Sequence, residues 1–552
     1  MDLSVPAPGS GAALTNAAPA SAAARPHPVT TLYPLLLAVF PALWVASTST
    51  GAFAMDDLLT IVGAVLVFTA LVFVACIAFV RVLGRDNVLG RAALLTMLVV
   101  GWVCYYIPLQ LIVATVANPL AQSKVFGPVC VLVSIVILWL VLRRRWTVGG
   151  AGKFLTLAGA LLVASSAVRV TRADARSRQR VAQSAMWRLV HQPVPVNPAL
   201  ARPGPKRDIY LIVLDGYPNN AVMHARFGFD NTPFLDSLRT LGFTIPQRAR
   251  SNYTATVLSM SSILNFEHDT LLSRDLKPND NDQTLPRALI QDNRTARFLR
   301  DRGYQYLLFA PEWFDATRRS PLATYAYQGP PHVSLVAELQ QTELRRFVFK
   351  ETLLSKFAVM RRNYGGEYML DEFQRLREVP SRPEPTFTFA HFLLPHQPIV
   401  LDGDCKPRND AGMIVGERAG MPGTQDLFLG AVRCGNRQIL SVVTEILKRS
   451  TVPPIIILIG DHGTLTQGWP NDAHLPVDSV AVERLAPLAA FYMPDGGDVP
   501  VRDSVTHVNI FRHTLHHYFG ADLPPLSNEA FFTQAGEAYL FRPVDERVVL
   551  GG

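Results

Sequence analysis

The chain has 552 residues, 49% hydrophobic and only 17% charged, with a formal net charge of +8. A soluble globular protein is about a quarter charged, so part of this chain belongs in a non-aqueous solvent. Disorder, collagen and a small disulfide scaffold are excluded: acids are nearly absent from the first third, and beyond about residue 200 charged and apolar residues mix in the proportions of one large core.

Residues 1–28, rich in Ala, Pro and Ser, lack the charged start and short apolar core of a cleavable leader and read as a disordered cytoplasmic tail. Five apolar stretches follow, near 31–49, 58–80, 92–117, 125–142 and 151–168, each long enough to cross about 30 Å of hydrocarbon as a helix. Residues 29–170 therefore read as a transmembrane domain of five helices. Lys and Arg near helix ends stay on the cytoplasmic side. Arg81, Arg85 and Arg91 lie in one loop region and Arg143, Arg144, Arg145 and Lys153 in another, whereas the other two loops hold only Lys124. These charges predict a multi-pass protein of the inner membrane with its C-terminal domain on the periplasmic or extracellular side. Arg169, Arg172, Arg176, Arg178 and Arg180 oppose that orientation, but the short loops weigh more. Residues 171–206 read as a juxtamembrane helix and linker. Within them 172–191, carrying Met186, Trp187, Leu189 and Val190, is either a basic amphipathic helix on anionic lipid or a solvated linker helix.

Cys76, Cys104 and Cys130 fall in the apolar stretches and read as small packing residues. Cys405 and Cys434 are the two in the soluble part. Outside the cytoplasm an even pair is a disulfide candidate, with two unpaired thiols as the alternative.

After a Pro-rich linker over 193–205, apolar runs alternate with helix signals, the pattern of an α/β fold with a mostly parallel central sheet. Strands are expected at 209–214, 304–309, 386–394, 455–459 and 487–492, several apolar throughout as doubly covered strands are. A helix is expected from Thr232, with Pro233 in its first turn, to Gly242. Reactive groups of such folds gather at the carboxyl ends of the strands. There the first strand ends in Asp215 and Gly216, the third is followed by Pro395, His396, Gln397 and Pro398, and the fourth by Asp461, His462 and Gly463. One early carboxylate and a late Asp-His pair make a divalent site of oxygen and nitrogen ligands, suited to Zn or Mn. Each element alone has a plainer reading: Asp-Gly after a strand is commonly a turn, and a lone His is commonly structural. The stretch from Arg250 to Ser259 supplies hydroxyls that a metal activates for attack on phosphorus, or that merely form a polar loop and helix start.

With these residues in place, the chain resembles the sulfatase-like branch of the alkaline phosphatase superfamily over 207–525. Asp215-Gly216, Thr256 with Ser259 three residues on, Pro395-His396-Gln397-Pro398, Asp461-His462-Gly463 and Val508-Asn509-Ile510-Phe511 stand in that family's order. Five membrane helices ahead of such a domain look like the lipoteichoic acid synthases and lipid A phosphoethanolamine transferases. The resemblance implies a sulfatase-like catalytic domain over 207–552 and one divalent metal ion held by Asp215, Thr256, Asp461 and His462. It also implies Thr256 as a transiently phosphorylated nucleophile, with His396 and His474 on the substrate side. Thr256 is preferred to Thr254 because it keeps the spacing to Ser259. Two departures narrow the choice. No Cys or Ser in a Cys/Ser-x-Pro-x-Arg element is present, since Thr256 is followed by Val257, Leu258, Ser259 and Met260, so ordinary sulfatase chemistry is not expected. The middle strand offers His391 and His396 without the further Asp of the two-metal relatives, so a single metal is expected. Asp215 stands where those transferases usually have Glu.

The expected function is a membrane-anchored transferase. It moves a phospho-alcohol group, phosphoglycerol or phosphoethanolamine, from a phospholipid donor to an envelope glycan or glycolipid acceptor through a phospho-threonine. A periplasmic phosphoric or sulfuric ester hydrolase sharing the same site is the alternative, and a non-catalytic envelope assembly protein a third reading. The basic balance suits anionic lipid headgroups, and without a nucleic-acid motif no nucleic-acid partner is expected.

Overall fold

A computed structural model of the chain describes residues 31–48, 53–143, 149–200, 204–330, 338, 341–357, 364–409, 424–464, 477–534 and 536–545. Four described helices are long and apolar enough to cross a membrane: Met55–Val82, Val88–Val116, Ser123–Arg143 and Gly149–Gln183. The first of the five expected spans is the helix Tyr33–Thr48, whose 16 residues rise only about 24 Å, short of the hydrocarbon thickness. It packs against Met55–Val82 and Gly149–Gln183. Leu59 and Leu71 of Met55–Val82 are each 65% exposed. Residues this apolar are unfavourable in water and favourable against acyl chains.

Met55–Val82 begins beside the soluble part, where Arg319 bonds Asp56 at 2.8 Å and Asp57 at 2.7 Å. Arg81 lies in its last turn, so the arginine-rich loop is at the far end from the soluble part. The segment expected as one helix over 172–191 is divided. Its first part continues the helix Gly149–Gln183, and Ser184 caps a short helix, Ala185–Val190. Met186 and Val190 are buried with Tyr253, Leu258 and Leu289, and Arg180 pairs with Asp280 and Asp282 at 3.1 and 2.9 Å. Amphipathicity fixes that one face is covered; here protein covers it.

Ten strands are described: β1 Ile209–Leu214, β2 Arg248–Arg250, β3 Gln305–Phe309, β4 Tyr325–Ala326, β5 Thr386–Phe392, β6 Ile455–Gly460, β7 Ala489–Tyr492, β8 Ser504–Thr506, β9 Ala530–Gln534 and β10 Glu537–Val544. Six form the central sheet in the order β4-β3-β5-β1-β6-β7, parallel except for β7 against β6. All five expected strands are in it. Along β1 the side chains alternate as a pleat requires: Tyr210, Ile212 and Leu214 join one core cluster, and Ile209, Leu211 and Val213 the other. The expected helix from Thr232 is present as Thr232–Thr240, with Gly242 following in the left-handed region at φ 93°. Cys405 and Cys434 form a disulfide with Cα atoms 5.1 Å apart, while Cys76, Cys104 and Cys130 are free.

Candidate metal centre

Register brings the site together. Leu214 of β1 lies opposite Phe392 of β5 on one side and Gly460 of β6 on the other, so Asp215 and Asp461 leave the sheet side by side. Gly216 adopts φ 70°, and its amide donates to Asp461 Oδ1 at 3.0 Å. A Cβ there would lie 3.9 Å from the His462 ring and 4.0 Å from that of His396, which brings His396 to the same edge. Gly463 is required for a different reason: a Cβ would meet the Glu483 carbonyl at 1.9 Å.

Thr256 is the first residue of the helix Thr256–Asn265, and its Oγ1 lies 3.1 Å from His462 Nε2. Thr254 is held elsewhere, donating to the Thr533 carbonyl at 3.0 Å. Ser259 bonds the Tyr253 carbonyl and the Ser251 hydroxyl, and Ser251 in turn donates to the Asp461 carbonyl at 2.8 Å. The three-residue spacing from Thr256 to Ser259 thus ties the hydroxyl-rich loop to the Asp461 strand end. His462 bonds the Gly463 carbonyl through Nδ1 at 2.9 Å. With the Nδ1 proton donated there, the Nε2 lone pair faces Thr256.

The residues present fit a divalent cation. His462 Nε2 is 3.3 Å from Asp461 Oδ2 and 3.8 Å from Asp215 Oδ1. Tetrahedral ligands about 2.0–2.1 Å from a metal stand about 3.3 Å apart, close to these separations. Asp215 Oδ1, Asp461 Oδ2 and His391 Nε2 are buried with no hydrogen-bond partner, a costly state that a cation would relieve. Burial pushes the Asp215 carboxyl up, but His396, His391 and His462 together hold it well below the usual carboxylate range. His462 is pushed down by burial and then by Arg484, which keeps the imidazole neutral as a ligand must be.

Asp215, Thr256, Asp461 and His462, expected as ligands, converge here. His474 lies outside the described residues. Two residues of the site were not singled out from the sequence. His391 is one: with Asp215 and Asp461 it forms a cluster of candidate ligand atoms all within 4.8 Å of one another. Its Nδ1 bonds the Thr317 hydroxyl at 2.8 Å, which orients the ring. The other is Arg484, 3.2 Å from His462 Nε2. The pairing of His391 with Val213, one position before the strand end, was the signal for the first; no local pattern marks the second.

No family model matches the chain, and no curated protein matches it. Solved structures of similar fold include the C-terminal periplasmic domain of EcEptC from Escherichia coli in complex with Zn, at 11% identity and TM-score 0.42 over 64% of this chain and 95% of that one. The C-terminal periplasmic domain of phosphoethanolamine transferase EptC from Campylobacter jejuni is similar at 12% identity and TM-score 0.35, over 57% and 90%. Phosphonate monoester hydrolase of Agrobacterium radiobacter is similar at 12% identity and TM-score 0.38, over 59% and 80%. The chain resembles the sulfatase-like branch of the alkaline phosphatase superfamily in its ordered motifs.

Proposed function

We propose that the protein is a membrane-anchored, metal-dependent transferase. It moves a phospho-alcohol group from a phospholipid to an envelope glycan or glycolipid outside the cytoplasm. The observation that carries this reading is the Thr256 hydroxyl at a helix N-terminus, 3.1 Å from His462 Nε2 and beside two carboxylates that each keep one oxygen without a hydrogen-bond partner. Position supports a lipid donor. Thr317 bonds His391, and Arg319, two residues on, bonds Asp56 and Asp57 where a membrane helix begins.

Asp215, Asp461, His462 and Thr256 would hold a divalent ion, which lowers the pKa of a bound hydroxyl and neutralises charge on phosphoryl oxygens. Thr256 Oγ1 attacks phosphorus, and the ester bond to the diacylglycerol oxygen breaks. The first amides of the helix Thr256–Asn265 face the phosphoryl oxygens and favour their charge. His396, whose Nδ1 bonds the Gln397 carbonyl at 2.5 Å, keeps Nε2 to protonate the leaving oxygen and then to accept the proton of the acceptor hydroxyl. By the same resemblance His474 is assigned a substrate-side role.

A Thr phosphodiester is slow to hydrolyse without an activated water, so the intermediate waits for an acceptor. Purified full-length protein is expected to release diacylglycerol from phospholipid vesicles in a single-turnover burst, with continued release only when a glycolipid acceptor is added. Sustained turnover without an acceptor would assign the site to a hydrolase.

A further inference from the structure

Residues 343–357 follow β4 in the chain and belong to the soluble part, yet they are built onto the membrane helices. The helix Glu343–Lys350 packs on Tyr33–Thr48 and Met55–Val82, and the turn Leu353–Lys356 packs on Val88–Val116. The helix divides by face. Leu344 and Val348, four apart, join the cluster of Ala42, Leu43 and Leu58, and Arg345 pairs with Asp57 at 3.2 Å. Arg346 turns the other way and lies over the Trp313 ring at 5.1 Å. Phe347 and Lys350, three apart, share a face left uncovered among the described residues, where Phe347 is 57% exposed. Phe357, just past the turn, is 55% exposed next to the exposed Lys356.

Depth decides what covers this face. Leu353 packs against Tyr106, Phe126 and Cys130, the two rings in edge-to-face contact with centroids 5.1 Å apart. Phe126 lies in the first turn of Ser123–Arg143, and 21 residues of helix are about 31 Å long, the thickness of the hydrocarbon itself. Tyr106 stands ten residues before the end of Val88–Val116, about 15 Å along its axis. A leucine of the soluble part that reaches both rings is below the headgroups. Its exposed neighbours Phe347 and Phe357 therefore stand where headgroups meet acyl chains. In that layer aromatic rings bury their apolar area and lysines reach back to lipid phosphates. The surface also continues a lipid-facing one, since Leu59, near the start of the adjoining helix Met55–Val82, is 65% exposed.

We infer that residues 343–357 are an interfacial foot of the soluble domain, with Phe347 and Phe357 inserted among outer-leaflet acyl chains and Lys350 and Lys356 on anionic headgroups. The partner is the lipid surface. This inference rests on the membrane-anchored part of the reading above and not on its chemistry. The foot is also joined to the metal centre: the Glu343 amide donates to Asp315 Oδ2 at 3.2 Å, and Thr317 of the same short helix bonds His391.

The test uses full-length protein in vesicles of phosphatidylcholine with or without phosphatidylglycerol, carrying photoreactive benzoylphenylalanine in place of Phe347, Phe357 or, as a control, Val499. Val499 is 58% exposed and lies beyond β7, whose Tyr492 pairs with Ile456 near the edge of the sheet opposite Asp461. After irradiation, intact-mass analysis is expected to show one phospholipid added at 347 and at 357 and none at 499. The yield is expected to be several-fold higher with phosphatidylglycerol, and Lys350→Gln combined with Lys356→Gln should remove that difference. No lipid adduct at 347 and 357 in protein that stays in the vesicles would overturn the inference, as would equal labelling at 499. Equal yields in the two kinds of vesicle would overturn the role given to the lysines. Protein released from the vesicles by an alkaline wash would overturn the membrane-anchored reading, and the inference with it.

Discussion

Two clusters of buried charge lie on either side of the short helix Asp315–Arg318, and they are balanced differently. Toward the membrane helices, acids are answered by guanidinium groups: Asp57 by Arg319 at 2.7 Å and by Arg345 at 3.2 Å, and Glu343 by Arg287 at 2.8 Å. At the sheet edge, Asp215 and Asp461 have only imidazoles within ion-pair distance among the described residues, and each keeps one unpartnered oxygen. The difference teaches how to read buried acids in this chain. Guanidinium partners hold Asp57 where the soluble domain meets the membrane helices, whereas the sheet-edge acids face imidazoles and one another.

The sharpest way to break that contrast is to remove a ligand. His462→Ala is expected to strip most metal from the purified protein, because losing one ligand of three or four costs several kcal/mol of binding. Elemental analysis showing unchanged stoichiometry would mean the sheet-edge acids are balanced in some other way. Next in size is the disulfide, which ties the turn at 402–405 to the helix Gln425–Arg449 across 29 residues. Reducing it should cost roughly 3 to 4 kcal/mol of stability in a denaturant titration, and both thiols should resist alkylation until reduced. His391→Ala comes third. Whether it meets the metal directly or orients Asp215, metal affinity should fall roughly 10- to 100-fold.

A further test sets the two clusters against each other in pH. Burial, and after it Glu343 and Asp57, push the Asp315 carboxyl up to about 7 from an ordinary 3.8. Burial, and after it His462, push the His507 imidazole down to about 3 from 6.5. A raised acid is protonated in the folded chain while the unfolded chain has already lost its proton, so stability falls as pH rises from about 3.8 to about 7. A depressed histidine takes its proton only when unfolded, so stability rises as pH rises from about 3 to about 6.5. In chemical denaturation followed across pH, Asp315→Asn should therefore steepen the gain with rising pH, and His507→Phe should flatten it. Slopes unchanged by both substitutions would show that neither group sets the response.

Much of this was legible in the sequence, for reasons that can be named. The five expected strands are apolar runs bounded by turn residues, and such runs declare themselves without knowledge of partners. Asp215, Asp461 and His462 were read as candidates because each follows a strand end, and Thr256 from the family's order and its spacing to Ser259; the structure brings Thr256, Asp215 and Asp461 around His462. His391 was seen on its strand but not placed in the site, because only the pairing of β5 with β1 sets it beside Asp215. Arg484 was invisible, since its role depends on a helix docking against Gly463, a contact far along the chain from Thr254. Of the five expected spans, four are described helices long and apolar enough to cross a membrane, and the first is the described helix Tyr33–Thr48 of 16 residues. Residues 172–191 were open between two readings because periodicity shows that a face is covered and not by what.

The central claim is that Thr256 carries the group in transit. Mass spectrometry of full-length, metal-loaded protein after incubation with phospholipid vesicles and no acceptor tests it directly. The account predicts a phospho-alcohol adduct on the peptide containing Thr256, formed together with one equivalent of diacylglycerol and absent from Thr256→Ala. Diacylglycerol release with Thr256 unmodified, or an adduct that persists in Thr256→Ala, would contradict it.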